Sequence, residues 1–314
     1  MEELYDTTSP NFVASDKENS ENSLSEVEVG APCLEKVLNL RKINPNNVMF
    51  GFLNINSLRN KFSDLRSMIQ GKFDIFTVGE TKIDASFPDA QFFMEGYTRP
   101  YRKDVSAHSG GLITYVNSDI PSHLKTDFSV PADLQVIPIE LNLRKTKWLV
   151  VSIYRPPKQA LDYFIRELSV MLDFYSSKYQ NMLVMGDFNV EPGDVQFNSF
   201  LQQHGFHNHI NAKTCWKSPT GSCIDLLLSN RKHSFKHSGV AETGLSDHHS
   251  MIYSMLKTTF IKSNPRKFIY RNLKNFQEDR FLCELNEKLK DLSSYSQFHQ
   301  IFFGCFTKTC SHQN

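Results

Sequence analysis

Between residues 47 and 257, short continuous apolar runs alternate with helically spaced apolar positions, the rhythm of buried strands and amphipathic helices. Val48-Met49-Phe50-Gly51-Phe52-Leu53 predicts a buried strand. Leu58, Phe62, Leu65 and Ile69 follow at helical spacing, with Ser57 placed to cap that helix. Residues 73–78 form the next apolar run, and residues 110–116 another, opened by two glycines. Residues 134–141 and 147–154 predict a strand pair joined at 142–146. Beyond Pro157, one face of a long helix carries Leu161, Phe164, Ile165, Leu168, Met171, Leu172 and Tyr175. A strand over 181–185, a short helix over 195–204 and strands over 224–228 and 250–256 complete the pattern. Strands outnumber helices, and helices fall between them. The expected class is an α/β sandwich with helices outside two packed sheets.

The flanks differ from this middle. Residues 1–46 are rich in Ser, Asn and Glu without periodicity and read as a disordered acidic arm. After Thr258 the chain turns basic, and Phe281, Leu282, Leu285, Leu289 and Leu292 predict one amphipathic helix with no core behind it. The predicted organisation is therefore an arm over 1–46, a domain over 47–257 and a basic, partly helical tail over 258–314.

Composition changes this picture in two ways. With 40% hydrophobic and 22% charged residues in 314, wholly disordered, collagen-like and disulfide-scaffold classes are excluded. The net charge of +1 hides a gradient: 4 basic and 9 acidic residues over 1–46, 22 and 20 over 47–257, and 9 and 5 over 258–314. The first residues show no secretory signal, and the run over 148–153 is far short of the roughly 20 apolar residues needed to span a bilayer, so no membrane partner is expected. Six scattered cysteines form no Cys-x-x-Cys pair and read as reduced thiols in an intracellular compartment. His204, His207, His209 and Cys215 fit no common zinc-ligand spacing.

The chemistry lies at five strand ends. Asn54 and Asn56 close the first apolar run, and Glu80 follows the second. Gly186-Asp187-Phe188-Asn189, Asp225 and Ser246-Asp247-His248 stand at the other three. Asp and Asn at a strand exit are common turn formers, so each alone reads as structural more readily than catalytic. Five in one domain point to a site, because ligand sites gather in such loops. Hard oxygen donors such as Glu80 and Asp247 suit Mg2+, with Mn2+ as a substitute. Asp187 can orient or deprotonate a water, and Asp225 can set the tautomer of His248. Asn54 and Asn189 add amide groups without charge. Together they suit hydrolysis of a phosphodiester.

In this order the five segments resemble the endonuclease/exonuclease/phosphatase superfamily, which implies a four-layered α/β sandwich like that of deoxyribonuclease I. Leu53-Asn54-Ile55-Asn56-Ser57-Leu58-Arg59, Gly79-Glu80-Thr81-Lys82, Ser109-Gly110-Gly111, Ile153-Tyr154-Arg155-Pro156-Pro157 and Ile224-Asp225-Leu226 are most similar to the endonuclease domain of non-LTR (LINE-type) retrotransposons. That resemblance implies Mg2+-dependent nicking of DNA that leaves a 3′-hydroxyl. It makes Glu80 the main metal ligand, with Asn54 and Asp247, and Asp187 and Asn189 the water-activating and transition-state groups. It places Tyr154 at the scissile phosphate, Asp225 behind the histidine, and Asp247 with His248 closing the site. Asn56 stands where abasic-site relatives carry Asp, which removes a charge and leaves one or two metals open.

Arg155, Arg59 and Arg102 are expected to contact DNA phosphates, the sequence-independent part of affinity. An ordinary solvated surface is the alternative for the cluster Arg99, Arg102, Lys103. The aromatic-x-Asp-Asp motif of a reverse transcriptase does not occur, so the chain reads as a truncated element, a gene fragment or a captured host gene. In an intact element, retrotransposon RNA or a ribonucleoprotein is a further expected partner, and chromosomal DNA implies the nucleus. The competing readings are a phosphatase or lipid phosphodiesterase of the same fold, and a catalytically idle nucleic-acid-binding remnant. Nothing in the pattern speaks to oligomeric state.

Overall fold

The structure is a computed structural model that describes residues 33–246, 249–260 and 276–290. Two compact units divide at Ile261 and Lys262. In chain order, the first unit contains α1 (Cys33–Ile43), β1 (Asn47–Asn54), α2 (Phe62–Ile69), β2 (Ile75–Gly79), β3 (Tyr101–Lys103), β4 (Leu112–Val116), β5 (Ser122–Leu124), β6 (Gln135–Leu143), β7 (Thr146–Tyr154), α3 (Leu161–Ser176), β8 (Asn181–Asp187), α4 (Val195–Gln203), β9 (His207–Asn208), β10 (Asp225–Ser229), β11 (Phe235–Ala241) and β12 (Met251–Thr259). The second unit contains α5 (Glu278–Lys290), where the tail helix is expected. Leu292 lies outside the described residues.

The strands form two six-stranded sheets, in the orders β11-β12-β1-β2-β4-β3 and β5-β6-β7-β8-β10-β9. β1 shows why its apolar run is continuous. Successive side chains point to opposite faces. Val48, Phe50 and Phe52 join the core shared with the second sheet, while Met49 and Leu53 join the core under Val37 of α1 and Leu65, Met68 and Ile69 of α2. On the far side, α3 lays Phe164, Leu168, Met171, Leu172 and Tyr175 against the second sheet. The result is four layers, as expected from the resemblance.

Each sheet has one parallel pair at its centre, β1 with β2 and β7 with β8, and the other pairings are antiparallel. A parallel pair needs a crossover, supplied here by α2 and α3. It also brings the C-terminal ends of both strands to the same edge. Asn54 is registered with Gly79, and Tyr154 with Asp187. Four of the predicted site residues therefore leave two neighbouring strand pairs at one edge of the sandwich.

A buried set of hydroxyls joins the two sheets beneath that edge. Thr77 Oγ1 lies 2.6 Å from Ser152 Oγ and 3.0 Å from Thr114 Oγ1, and Thr114 donates to Ser152 at 2.9 Å. All three residues are fully buried, and each hydroxyl finds its partners within the set.

Two expectations are corrected. The disordered arm cannot extend to residue 46, because residues 33–43 form α1. Arg41 pairs with Asp74 at 2.6 Å and donates to the carbonyls of Lys72, Asn47 and Pro45, which ties α1 to the sheet. Residues 1–32 lie outside the described residues. Ser57 does not cap α2: its N–H donates to the Glu80 carbonyl at 2.8 Å, and the helix starts after Lys61.

Candidate active site

Four side chains from the two strand pairs meet directly. The Asn54 amide donates to Glu80 Oε1 and to Asp187 Oδ2, each at 2.9 Å. The Tyr154 hydroxyl donates to the same Glu80 oxygen at 3.1 Å. Asn54 is fully buried and Asp187 nearly so, whereas the Glu80 side chain keeps 14% exposure and opens the cluster to solvent. Lys82 places its ammonium 3.7 Å from the other Glu80 oxygen and also donates to Asn56 Oδ1.

Asp225 opens β10 opposite Asp187, with which it is registered across the antiparallel pair. Its Oδ2 lies 2.9 Å from Nδ1 of His249, and its Oδ1 is buried with no hydrogen-bond partner among the described residues. Oxygens of Asp187 and Asp225 and a ring nitrogen of His249 lie within 4.8 Å of one another, all three residues buried. Burial first, and then the Asp225 charge, pushes the Asp187 carboxyl up to about 8. Burial opposes the charged form of His249, but the hydrogen bond and charge of Asp225, with Asp187 adding, carry its net shift upward. Burial, then the charges of Glu80 and Asp187, pushes the Tyr154 phenol up, so it remains a donor.

The backbone is strained where this chemistry sits. Glu80 and Asn189 both adopt φ +49, a left-handed conformation that residues with a Cβ enter at a cost. Gly186 precedes Asp187 with its Cα against the neighbouring strand: a Cβ there would stand 1.9 Å from the Ile153 carbonyl oxygen.

The sequence expectations divide at this point. Asn54, Glu80, Tyr154 and Asp187 form one hydrogen-bonded group, and Asn189 lies in the loop beyond Asp187, its N–H donating to Asp187 Oδ1 at 2.9 Å. Asp247 and His248 lie outside the described residues. The expected pairing of Asp225 with His248 is corrected: the imidazole on Asp225 belongs to His249. Residues 248 and 249 are both His, so residue type could not choose between them. Backbone pairing does, because Cys215 bridges to His249 and Ser250 N–H donates to the Thr214 carbonyl. Cys215, which the sequence grouped with His204, His207 and His209, belongs here instead: its Sγ lies 3.6 Å from His249 Nε2, and burial raises its thiol.

Two of the three expected phosphate contacts are also corrected. Arg102 is committed to Asp89 and Asp104, each at 2.7 Å, and to the carbonyls of Phe87 and Asp84. Arg155 is buried and bonds only backbone carbonyls. Arg59 remains exposed, over the Phe87 ring and bonded to the carbonyls of Lys82 and Ala107.

The donor set suits a divalent cation. Carboxylate and amide oxygens are hard ligands, and the unpartnered Asp225 Oδ1 is a buried acceptor that such an ion or a proton would satisfy. Among the described residues no helix is long and apolar enough to cross a membrane.

Comparison with known proteins agrees with this fold. Solved structures with the same fold include the 3′-5′ exonuclease NExo from Neisseria meningitidis, with TM-score 0.56 and 16% identity, covering 67% of this chain and 99% of that one. The endonuclease domain of TRAS1, a telomere-specific non-LTR retrotransposon, has TM-score 0.55 and 13% identity over 68% of this chain and 99% of its own. The AP endonuclease LMAP from Leishmania major has TM-score 0.56 and 14% identity over 68% and 88%. Among curated proteins none matches the chain. The family model described as endonuclease/exonuclease/phosphatase matches residues 51–248, from the middle of β1 to the residue before His249. With that match spanning well over half of the 314 residues, the chain belongs to the endonuclease/exonuclease/phosphatase family.

Proposed function

We propose that the chain is a divalent-metal-dependent endonuclease that nicks DNA and leaves a 3′-hydroxyl, and that it derives from a non-LTR retrotransposon. The observation that carries the catalytic part is the hydrogen-bonded group of Asn54, Glu80, Tyr154 and Asp187, assembled from two sheets around a partly open carboxylate. The retrotransposon origin rests on the sequence segments around Asn54, Glu80 and Tyr154-Arg155-Pro156-Pro157. The likeness to the TRAS1 endonuclease domain supports it.

Glu80 and Asn54 would hold Mg2+, with the Asp187 and Asp225 carboxylates as further hard donors. The ion supplies charge neutralisation on the phosphate oxygens. Asp187 takes the proton of the attacking water; a bound cation beside it would favour the ionised carboxylate that this role needs. Asn54 holds the Asp187 carboxylate in place. Tyr154 stays protonated and turns its hydroxyl from Glu80 to a phosphate oxygen. Asn189 positions the water or the transition state beside Asp187. Asp225 fixes the tautomer of His249 and supports its protonated form near the leaving oxygen. Asp247 and His248 adjoin this histidine in the chain and complete the proposed set. Arg59 tracks the DNA backbone at the rim.

Supercoiled plasmid incubated with the purified chain and Mg2+ tests this reading. Nicked circles are expected, absent with EDTA and absent for Asp187→Ala. An intact plasmid with a folded wild-type chain refutes it. Inositol phosphates and sphingomyelin in the same panel separate nicking from the phosphatase and lipid phosphodiesterase activities this fold can support. A chain that nicks chromosomal DNA acts in the nucleus.

A further inference from the structure

Arg155 is a buried cation without a carboxylate at ion-pair distance among the described residues. Its exposure is 6%, and its guanidinium donates to backbone carbonyls. Nε donates to the Phe188 carbonyl at 2.7 Å and Nη2 to the Asn189 carbonyl at 2.5 Å, while Nη1 donates to the Gln159 carbonyl. Its own N–H donates to the Asp187 carbonyl at 2.9 Å, and its carbonyl accepts the Asn189 side-chain amide at 2.7 Å. One residue thus bonds each of Asp187, Phe188 and Asn189, including the carbonyl of the residue held at φ +49.

Such a residue is costly to keep. Burial pulls its guanidinium down from its ordinary value, and the charges of Asp187 and Asp194 hold it up. A buried charge is costly unless it is hydrogen-bonded and balanced by opposite charge; here three carbonyls accept from it and Asp187 and Asp194 supply the opposite charge at longer range. The five N–H groups of arginine form a rigid planar fork, and three carbonyls at different angles need that fork; the point charge of lysine does not supply it.

We propose that Arg155 is a positioning residue for the segment that carries the base, holding Asp187 through Asn189 in place with Asn189 at its positive φ, and is not a contact to DNA. Its effect on turnover rests on the endonuclease reading; its effect on the loop does not.

The test compares wild type with Arg155→Lys and Arg155→Gln on three readouts. In plasmid nicking, Arg155→Lys is expected to lose about tenfold or more in kcat with KM for DNA unchanged. In DNA binding with Ca2+ in place of Mg2+, the slope of log affinity against log salt is expected to stay at the wild-type value, whereas a lost phosphate contact lowers it by about one. In hydrogen exchange, the amides of Phe188 and Asn189 are expected to exchange faster than in wild type while those of α2 and α3 keep their rates. A raised KM with kcat intact, a lowered salt slope, or unchanged exchange at 188–189 overturns the proposal. Unfolding of both variants also overturns it, because a local role leaves both cores standing. If wild type itself fails to nick DNA, the endonuclease reading falls, and the exchange experiment still decides the role of Arg155.

Discussion

Replacing Asp225 by Asn should change the sign of its effect on stability between pH 5 and pH 8. The metal-free cluster contains two buried carboxylates, and their oxygens lie within 4.8 Å of each other and of the imidazole. Two unit charges at that distance repel by about 3 kcal/mol at an effective dielectric constant of about 20. Asp187, with its carboxyl raised from 3.8 to about 8, keeps in the folded chain a proton that the unfolded chain has released. Its stabilising contribution is complete below the unfolded value and is lost as pH rises towards 8. Asn at 225 removes the charge that adds to burial in raising Asp187, so less stability is lost on the alkaline side. The His249 pKa is raised as well. The pairing with Asp225 therefore stabilises the fold at low pH and fades as pH climbs through the raised value. Asn at 225 forfeits that stabilisation, although its side-chain oxygen can still accept the Nδ1–H. In EDTA, Asp225→Asn is expected to gain about 1–3 kcal/mol over wild type at pH 8 and to lose about 1–2 kcal/mol at pH 5. Urea denaturation followed by circular dichroism at both pH values measures this, with the slope against urea checked for constancy. A difference of one sign and one size at both pH values would refute the electrostatic account of this cluster.

Arg41→Met should cost about 3 kcal/mol in the same assay, because it leaves the buried Asp74 carboxylate without its guanidinium; an unchanged midpoint would mean that α1 adds nothing to the fold. Thr77→Val preserves shape but breaks the hydroxyl set between the sheets, and should cost about 1–2 kcal/mol. Gly186→Ala drives a Cβ into the Ile153 carbonyl, so a loss of at least about 3 kcal/mol or an insoluble product is expected; a soluble variant of wild-type stability contradicts the backbone geometry before Asp187. Tyr154→Phe should keep the wild-type thermal midpoint within a few degrees yet slow plasmid nicking by about tenfold or more. Equal nicking rates would remove Tyr154 from the proposed machinery.

Local pattern was enough for most of the strands and for α2, α3 and α4. Their apolar residues repeat with period two or near 3.6 whatever they pack against, and that is why β1 and α3 could be read from residues 48–53 and 161–175. It failed at α1. That helix buries little, and its anchor is an ion pair between Arg41 and a residue 33 positions away. It also failed at β3, β5, β9 and β11, which are short edge strands or carry mixed burial, so that no apolar run marks them.

The site shows the same division. Chain order and residue type pointed to Asn54, Glu80, Asp187 and Asp225 at strand ends with oxygen chemistry, and the family resemblance added Tyr154. Tertiary structure decided what each one touches. It turned Arg155 inward to three carbonyls and Arg102 to two carboxylates, although both sit beside the motifs that suggested a DNA contact. It brought His249 to Asp225 beside the isolated backbone bridge between His249 and Cys215. Spacing along a chain records the period of each element and the kind of chemistry it carries. Which donor meets which acceptor depends on how two sheets stack, and no single segment holds that information.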